Sequence, residues 1–168
     1  MVLPLIVGIS GATGVIYGVE MLRVLKDLGY PVHLIVSEFG LRTIGIETDL
    51  FMEDLKALAD KVHSNKDVGA SIASGSFQTR GMVIAPCSIK TLSGITNSFA
   101  TNLMIRAADV TLKEGRPLVL MVRETPLHKG HLELMTRAAE IGARIPPPMP
   151  AFYHRPETIT DIVHQSVG

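Results

Sequence analysis

Two turns rich in glycine and hydroxyl groups carry the residues best suited to chemistry. The first, Gly8-Ile9-Ser10-Gly11-Ala12-Thr13-Gly14, directly follows an apolar run from Leu3. Glycines in such a place let a ligand approach the backbone, and the helix that follows offers free N–H groups to an anion. A phosphorylated ligand is the expected guest. The spacing is G-x-x-G-x-x-G, not the G-x-G-x-x-G of a dinucleotide site, and a tight turn whose glycines serve packing alone is the competing reading. The second turn, Pro86-Cys87-Ser88-Ile89-Lys90-Thr91, follows the apolar run Gly81 to Pro86. It sets the Ser88 and Thr91 hydroxyls and the Lys90 ammonium beside another helix start. Ser88 equally suits an N-cap, and Cys87 reads as a small buried hydrophobe in preference to a nucleophile.

Cations and carboxylates gather further along the chain. Arg106, Lys113, Arg116, Arg123 and Lys129 form a basic stretch, and Arg123-Glu124 closes an apolar strand. Ligands of open parallel sheets bind outside the carboxyl ends of the strands, so Arg123 is the expected phosphate ligand, its planar fork binding two oxygens at once. Arg116 and Lys129 are expected on a solvated face. Glu47 and Glu124 are candidates for proton transfer if one cleft holds both. The ordinary role of Glu47 would be a helix N-terminal charge, worth ~0.3–1 kcal/mol. His128 and His131 stand three apart at a helix start, but no further Cys or His cluster completes a metal site, so none is expected. Met104, Met121, Met135 and Met149 read as core filler.

The elements that must position these residues alternate strand and helix. Leu3 to Ile9, Pro31 to Val36, Gly81 to Pro86 and Leu118 to Val122 read as buried strands, with Ala143 to Ile145 as a short last one. Helical periodicity runs from Val15 to Leu28 before a C′ Gly29. It recurs from Ser37 to Ile46, through Leu50, Met52, Leu55 and Leu58, at Ile89 to Ile95, and from Leu103 to Glu114. Pro126 is expected at N1 of a helix reaching Glu140, and Pro156-Glu157 is expected to open a terminal one. Residues 63–80 read as a loop over the sheet. Pro146 to Pro150 favour an extended chain that stops sheet pairing. The pattern predicts one α/β domain over 1–168, a three-layer, doubly wound parallel sheet.

Composition narrows the function classes. Lysine plus arginine balance aspartate plus glutamate at 16 each, and a neutral chain lacks the field that gathers nucleic acid or anionic membrane. One cysteine forms no internal disulfide, the apolar start is too short for a signal peptide, and no run spans a bilayer. A soluble, cytoplasmic protein is expected. Aromatic residues make up 5% with no tryptophan, too few large anchors for a generous core, so association is expected to supply part of the burial.

Taken together, GISGATG with Tyr17-Gly18 after it, Ile46-Glu47-Thr48-Asp49, SGSFQT, GMVIAPCSIKTLSGI, RAADVTLKEGRPLVLMVRETPL and PPPMPAFYHRP resemble the UbiX family of flavin prenyltransferases over essentially the whole chain. The resemblance implies a Rossmann- or flavodoxin-like domain assembled as a dodecamer, with FMN bound near subunit interfaces. It assigns Gly11, Ala12, Thr13, Ser37, Ser88, Ile89, Lys90, Thr91, Arg106 and Arg123 to FMN. Lys113, Arg123 and Tyr153 go to the phosphate of dimethylallyl phosphate, or of the diphosphate in some members. Glu124, Glu47 and Thr13 go to proton handling. The implied reaction joins prenyl C1 to N5 of reduced flavin and closes a ring at C6, without a metal, because fixed cations and donors stabilise the leaving phosphate. The prenylated FMN would pass to a UbiD-type decarboxylase, as in ubiquinone biosynthesis or phenolic-acid breakdown. Many members have serine at the position of Thr13, and the family's terminal helix usually continues past the point where this chain reaches Gly168, adding an arginine and an aromatic residue. The competing functions are an NAD(P) reductase, lacking here its Tyr-x-x-x-Lys pair, a peptidyl-cysteine type decarboxylase, and an FMN carrier.

Overall fold

The computed structural model describes residues 2–168. Six strands, β1 (Leu5–Ile9), β2 (Val32–Val36), β3 (Lys61–Ser64), β4 (Gly81–Cys87), β5 (Leu118–Val122) and β6 (Ala143–Arg144), form one sheet in the order β3-β2-β1-β4-β5-β6. Every pairing is parallel. Chain direction across the sheet reverses between β1 and β4, which makes their carboxyl ends the switch point where such folds hold ligands.

Helices α1 (Val15–Asp27), α2 (Glu38–Glu47), α3 (Met52–Leu58), α4 (Ile89–Thr96), α5 (Leu103–Lys113), α6 (Lys129–Glu140) and α7 (Ile159–Val167) complete the layers. Side chains alternate across each strand, so the apolar runs feed two cores. Val7, Ile9, Val83 and Ala85 pack with Val15, Val19 and Leu22 of α1 and Leu55 of α3. Ile6, Met82 and Ile84 pack on the other side with Leu92 and Ile95 of α4 and Leu103 and Ala107 of α5. Gly18 permits the α1 contact: a Cβ there would stand 2.2 Å from the Ala85 carbonyl oxygen.

Three elements depart from the periodicity. Residues 63–80 are not wholly loop, because Lys61–Ser64 adds to β2 as the edge strand. With Val62 its single aliphatic residue, it has almost no apolar signal. Pro126 does not open α6. It follows a cis peptide bond, and the helix begins at Lys129 with His128 as N-cap. The last helix is opened by Thr158, not by Pro156-Glu157. Thr158 Oγ1 accepts from the Asp161 N–H at 3.1 Å, and Asp161 accepts from the Thr158 N–H at 2.8 Å, a reciprocal cap.

Candidate active site

A cavity of about 420 Å³ opens at the carboxyl edge of the sheet, beside the switch point. Gly11 after β1, Ser37 after β2, Lys66 after β3 and Ser88, Lys90 and Thr91 after β4 line it, together with the start of α5. The two turns singled out by the sequence are fastened to each other. The buried Ser10 hydroxyl donates to the Pro86 carbonyl at 2.8 Å and accepts from the Ser88 N–H at 2.8 Å.

Helix starts near this edge differ in what they offer an anion. At α1, the N–H groups of Gly14 and Val15 donate to Glu47 Oε2 at 2.8 and 3.1 Å. The anion facing the first turn is therefore the chain's own carboxylate, and Glu47 supplies the N-terminal charge of α1, not of the helix that follows it. At α5, Asn65 O, Asn65 Oδ1 and Asn102 Oδ1 accept from Leu103, Met104 and Ile105. The starts of α2 and α4 carry lighter caps. Ser37 Oγ accepts from Gly40 at 2.9 Å, and Ser88 Oγ accepts from Thr91 at 3.3 Å. These caps leave the first-turn N–H groups of Glu38, Phe39, Ile89 and Lys90 without a hydrogen-bond partner among the described residues, and Glu38, Phe39 and Lys90 line the cavity. An anion therefore fits best between α2 and α4, next to the Lys90 ammonium.

Of the sequence candidates, Gly11, Ser37, Ser88, Lys90 and Thr91 share the cavity wall. Ile89 opens α4 beside them, while Ala12 is buried behind the first turn and Thr13 is exposed next to the Glu47 bonds. Arg123 is tied to the second turn, its N–H donating to the Cys87 carbonyl at 3.1 Å. Glu124, next in the chain and exposed, accepts from the Thr125 N–H at 2.9 Å. Arg106 follows Ile105 on α5 and pairs with Asp109 at 3.2 Å. Lys113 is not brought in: it lies eight residues beyond Ile105, about 12 Å of helix rise, and contacts Glu114. That contact holds the Glu114 carboxyl below its usual range. Tyr153 stands 85% exposed in a turn before α7, which the Arg155 N–H closes by donating to the Phe152 carbonyl at 3.0 Å.

Arg116 departs from its expected solvated role. Its guanidinium donates to the carbonyls of Phe77 at 2.8 Å and Gly75 at 2.7 Å, pinning the SGSF loop. Lys129 does sit in solvent, paired with Glu133. Burial pushes the Cys87 thiol up to about 12, so at neutral pH it is a neutral packing group. His128 and His131 stack with ring centroids 3.5 Å apart, and among the described residues no group of three or more His, Cys, Asp or Glu could hold a metal. Nor is any described helix long and apolar enough to cross a membrane. Sequence reasoning missed Phe39, Asn65, Lys66 and Asn102, all on the cavity wall. Asn65 and Lys66 follow the strand that periodicity did not reveal, whereas Asn102 was legible as an N-cap directly before an apolar helix.

A three-layer sheet with an anion-accepting cavity at its switch point defines a nucleotide- or flavin-binding α/β protein, and the flavoprotein family model matches residues 2–167. Within that family the chain belongs to the UbiX flavin prenyltransferases. It is 61% identical over 165 residues to flavin prenyltransferase UbiX of Escherichia coli K12, covering 98% of this chain and 87% of that protein. The structure of AnUbiX in complex with FMN and dimethylallyl pyrophosphate superposes with a TM-score of 0.99 at 44% identity, over 100% of this chain and 89% of that one. A dodecameric FMN-dependent UbiX-like decarboxylase from Escherichia coli O157:H7 gives a TM-score of 0.96 at 50% identity, over 98% and 90% of the two chains.

Proposed function

We propose that this protein transfers the dimethylallyl group of dimethylallyl phosphate to reduced FMN, forming prenylated FMN for a UbiD-type decarboxylase. The observation that carries the reading is the cavity between the α2 and α4 starts, where uncapped N–H groups, the Ser37, Ser88 and Thr91 hydroxyls and Lys90 converge. In a chain so similar to UbiX proteins, that donor set fits a flavin phosphate.

Gly11, Ala12, Thr13, Ser37 and Ser88 to Thr91 would hold FMN, with Arg106 and Arg123 adding positive charge. When bound, the reduced flavin supplies the nucleophilic N5, and ring closure follows at C6. The chain's own part is to bind, orient and move protons. Arg123, Lys113 and Tyr153 receive the phosphate as the C1–O bond breaks, fixed cations costing no reorganisation at that moment. Glu124 would give a proton to the prenyl double bond as its far carbon bonds to C6 and take back the proton that C6 releases, so that ring closure is proton-neutral, and Glu47 with the Thr13 hydroxyl would relay protons at the first turn. Because Lys113 lies about 12 Å of helix rise beyond the cavity-lining Ile105 and Tyr153 is exposed, we take both to act on the cavity of a neighbouring copy, in an assembly we take to be a dodecamer in the cytoplasm.

The test is anaerobic incubation with reduced FMN and dimethylallyl phosphate, followed by mass analysis of the flavin released on denaturation. A gain of one isopentenyl unit is expected. Bound but unmodified FMN, with the diphosphate also inert, would overturn the transfer reading.

A further inference from the structure

Of the large apolar side chains on the cavity wall that the FMN assignments leave unused, Met104 and Ile105 are buried and Phe39 is exposed. It occupies the first turn of α2, lines the cavity and is 57% exposed. An uncovered ring of this size forgoes a sizeable hydrophobic gain unless something covers it. Its placement is fixed from behind. A Cβ built on Gly11 would lie 2.4 Å from Phe39 Cβ, so the first turn packs directly on the root of this side chain. Two cations flank the ring, Lys90 Nζ at 5.9 Å and Arg42 Cζ at 5.8 Å from its centroid. Lys90 belongs to the open α4 start, so the ring stands next to the place where an anion fits best.

We infer that Phe39 is a positioning residue that packs against the planar ring system of the bound flavin, contributing affinity for the ring and not for the phosphate. The inference rests on the FMN reading above. An aromatic wall suits such a ligand because π faces stack or meet edge to face, with a gain beyond area burial, and stacking is tolerant of the substituents on the stacked ring. The division of labour is then physical. Ser88, Thr91 and Lys90 recognise charge, and Phe39 recognises a flat apolar surface. Lost stacking should weaken FMN and riboflavin alike, whereas a lost cation should weaken FMN alone.

The experiment is titration of the whole protein with FMN and with riboflavin, comparing the parent with Phe39→Ala, Phe39→Tyr and Lys90→Met. Phe39→Ala should weaken both flavins by a similar factor, roughly tenfold, and leave their affinity ratio unchanged. Phe39→Tyr should restore both, and Lys90→Met should lower the ratio of FMN to riboflavin affinity. The ring is more than half exposed, so the thermal midpoint of Phe39→Ala should match the parent. Affinities within twofold of the parent, or a loss confined to FMN, would overturn the role of Phe39 while leaving the FMN reading intact. A parent protein that binds neither flavin would overturn the FMN reading and the inference together.

Discussion

Ser10 and Ser88 are joined by a hydrogen bond across the sheet's switch point, the Ser88 N–H donating to the Ser10 hydroxyl at 2.8 Å. The same hydroxyl donates to the Pro86 carbonyl at 2.8 Å, so one buried side chain fixes the spacing of both ligand turns. Ser10→Ala leaves the Ser88 N–H without its acceptor, while the Pro86 carbonyl keeps the Ser10 N–H at 3.2 Å, at a cost of about 1–3 kcal/mol. Urea unfolding should show that loss, and FMN affinity should fall with it. Unchanged values on both counts would deny the coupling.

Glu47 holds the first turn of α1. Glu47→Ala should lower stability by about 1 kcal/mol, the usual scale of a lost N-terminal acceptor, and should also slow prenyl transfer. Glu47→Gln keeps an oxygen acceptor, so it should recover most of the stability without recovering the rate. Stability and turnover measured on the same two variants separate the capping role from the proton role.

Glu124 is exposed, and its Oε1 accepts only a short-range bond from the next residue. Glu124→Gln should therefore leave FMN affinity and thermal midpoint unchanged, yet slow product formation by roughly a hundredfold or more, the range typical of a lost general acid or base. Turnover equal to the parent would remove Glu124 from the reaction.

His33 and His63 bond to each other, Nδ1 to Nε2 at 3.0 Å, under Phe77. Burial, then the charge of Lys61, lowers His33, and burial, then His33, then Lys61, lowers His63 to about 4 from 6.5. Below pH 6.5 the unfolded chain binds protons that the folded chain refuses, so stability falls with pH through the window down to about 4. Urea midpoints across that range should decline from pH 6.5, above the usual carboxylate range of ~4. His63→Asn should flatten the upper part of the decline, and a flat parent profile would contradict the assignment.

Arg116 ties the end of α5 to the SGSF loop by two charge-assisted bonds. Arg116→Met preserves the aliphatic stem and removes the fork, so thermal stability should drop by about 2 kcal/mol. Limited proteolysis should find the main new cleavage between 74 and 79. A cleavage pattern identical to the parent would show that the loop is held by other means.

Sequence alone determined the parallel sheet, most helices and the turns that carry Gly11, Ser37, Ser88 and Lys90, because apolar period, glycine placement and N-caps are local properties. Local reading failed at Lys61–Ser64, which is a strand only because β2 offers it an open edge, and at Pro126, whose N1 preference yielded to a turn before Lys129. Tertiary structure alone decided which helix starts remain open to an anion. Glu47 closes α1 from 33 residues away, and Asn65 closes α5 from 39. It also decided that Lys113 leaves the cavity of its own chain, since helix rise carries it away. Long-range hydrogen bonds and the direction of a helix depend on partners brought together by the fold, and no window of neighbouring residues contains them.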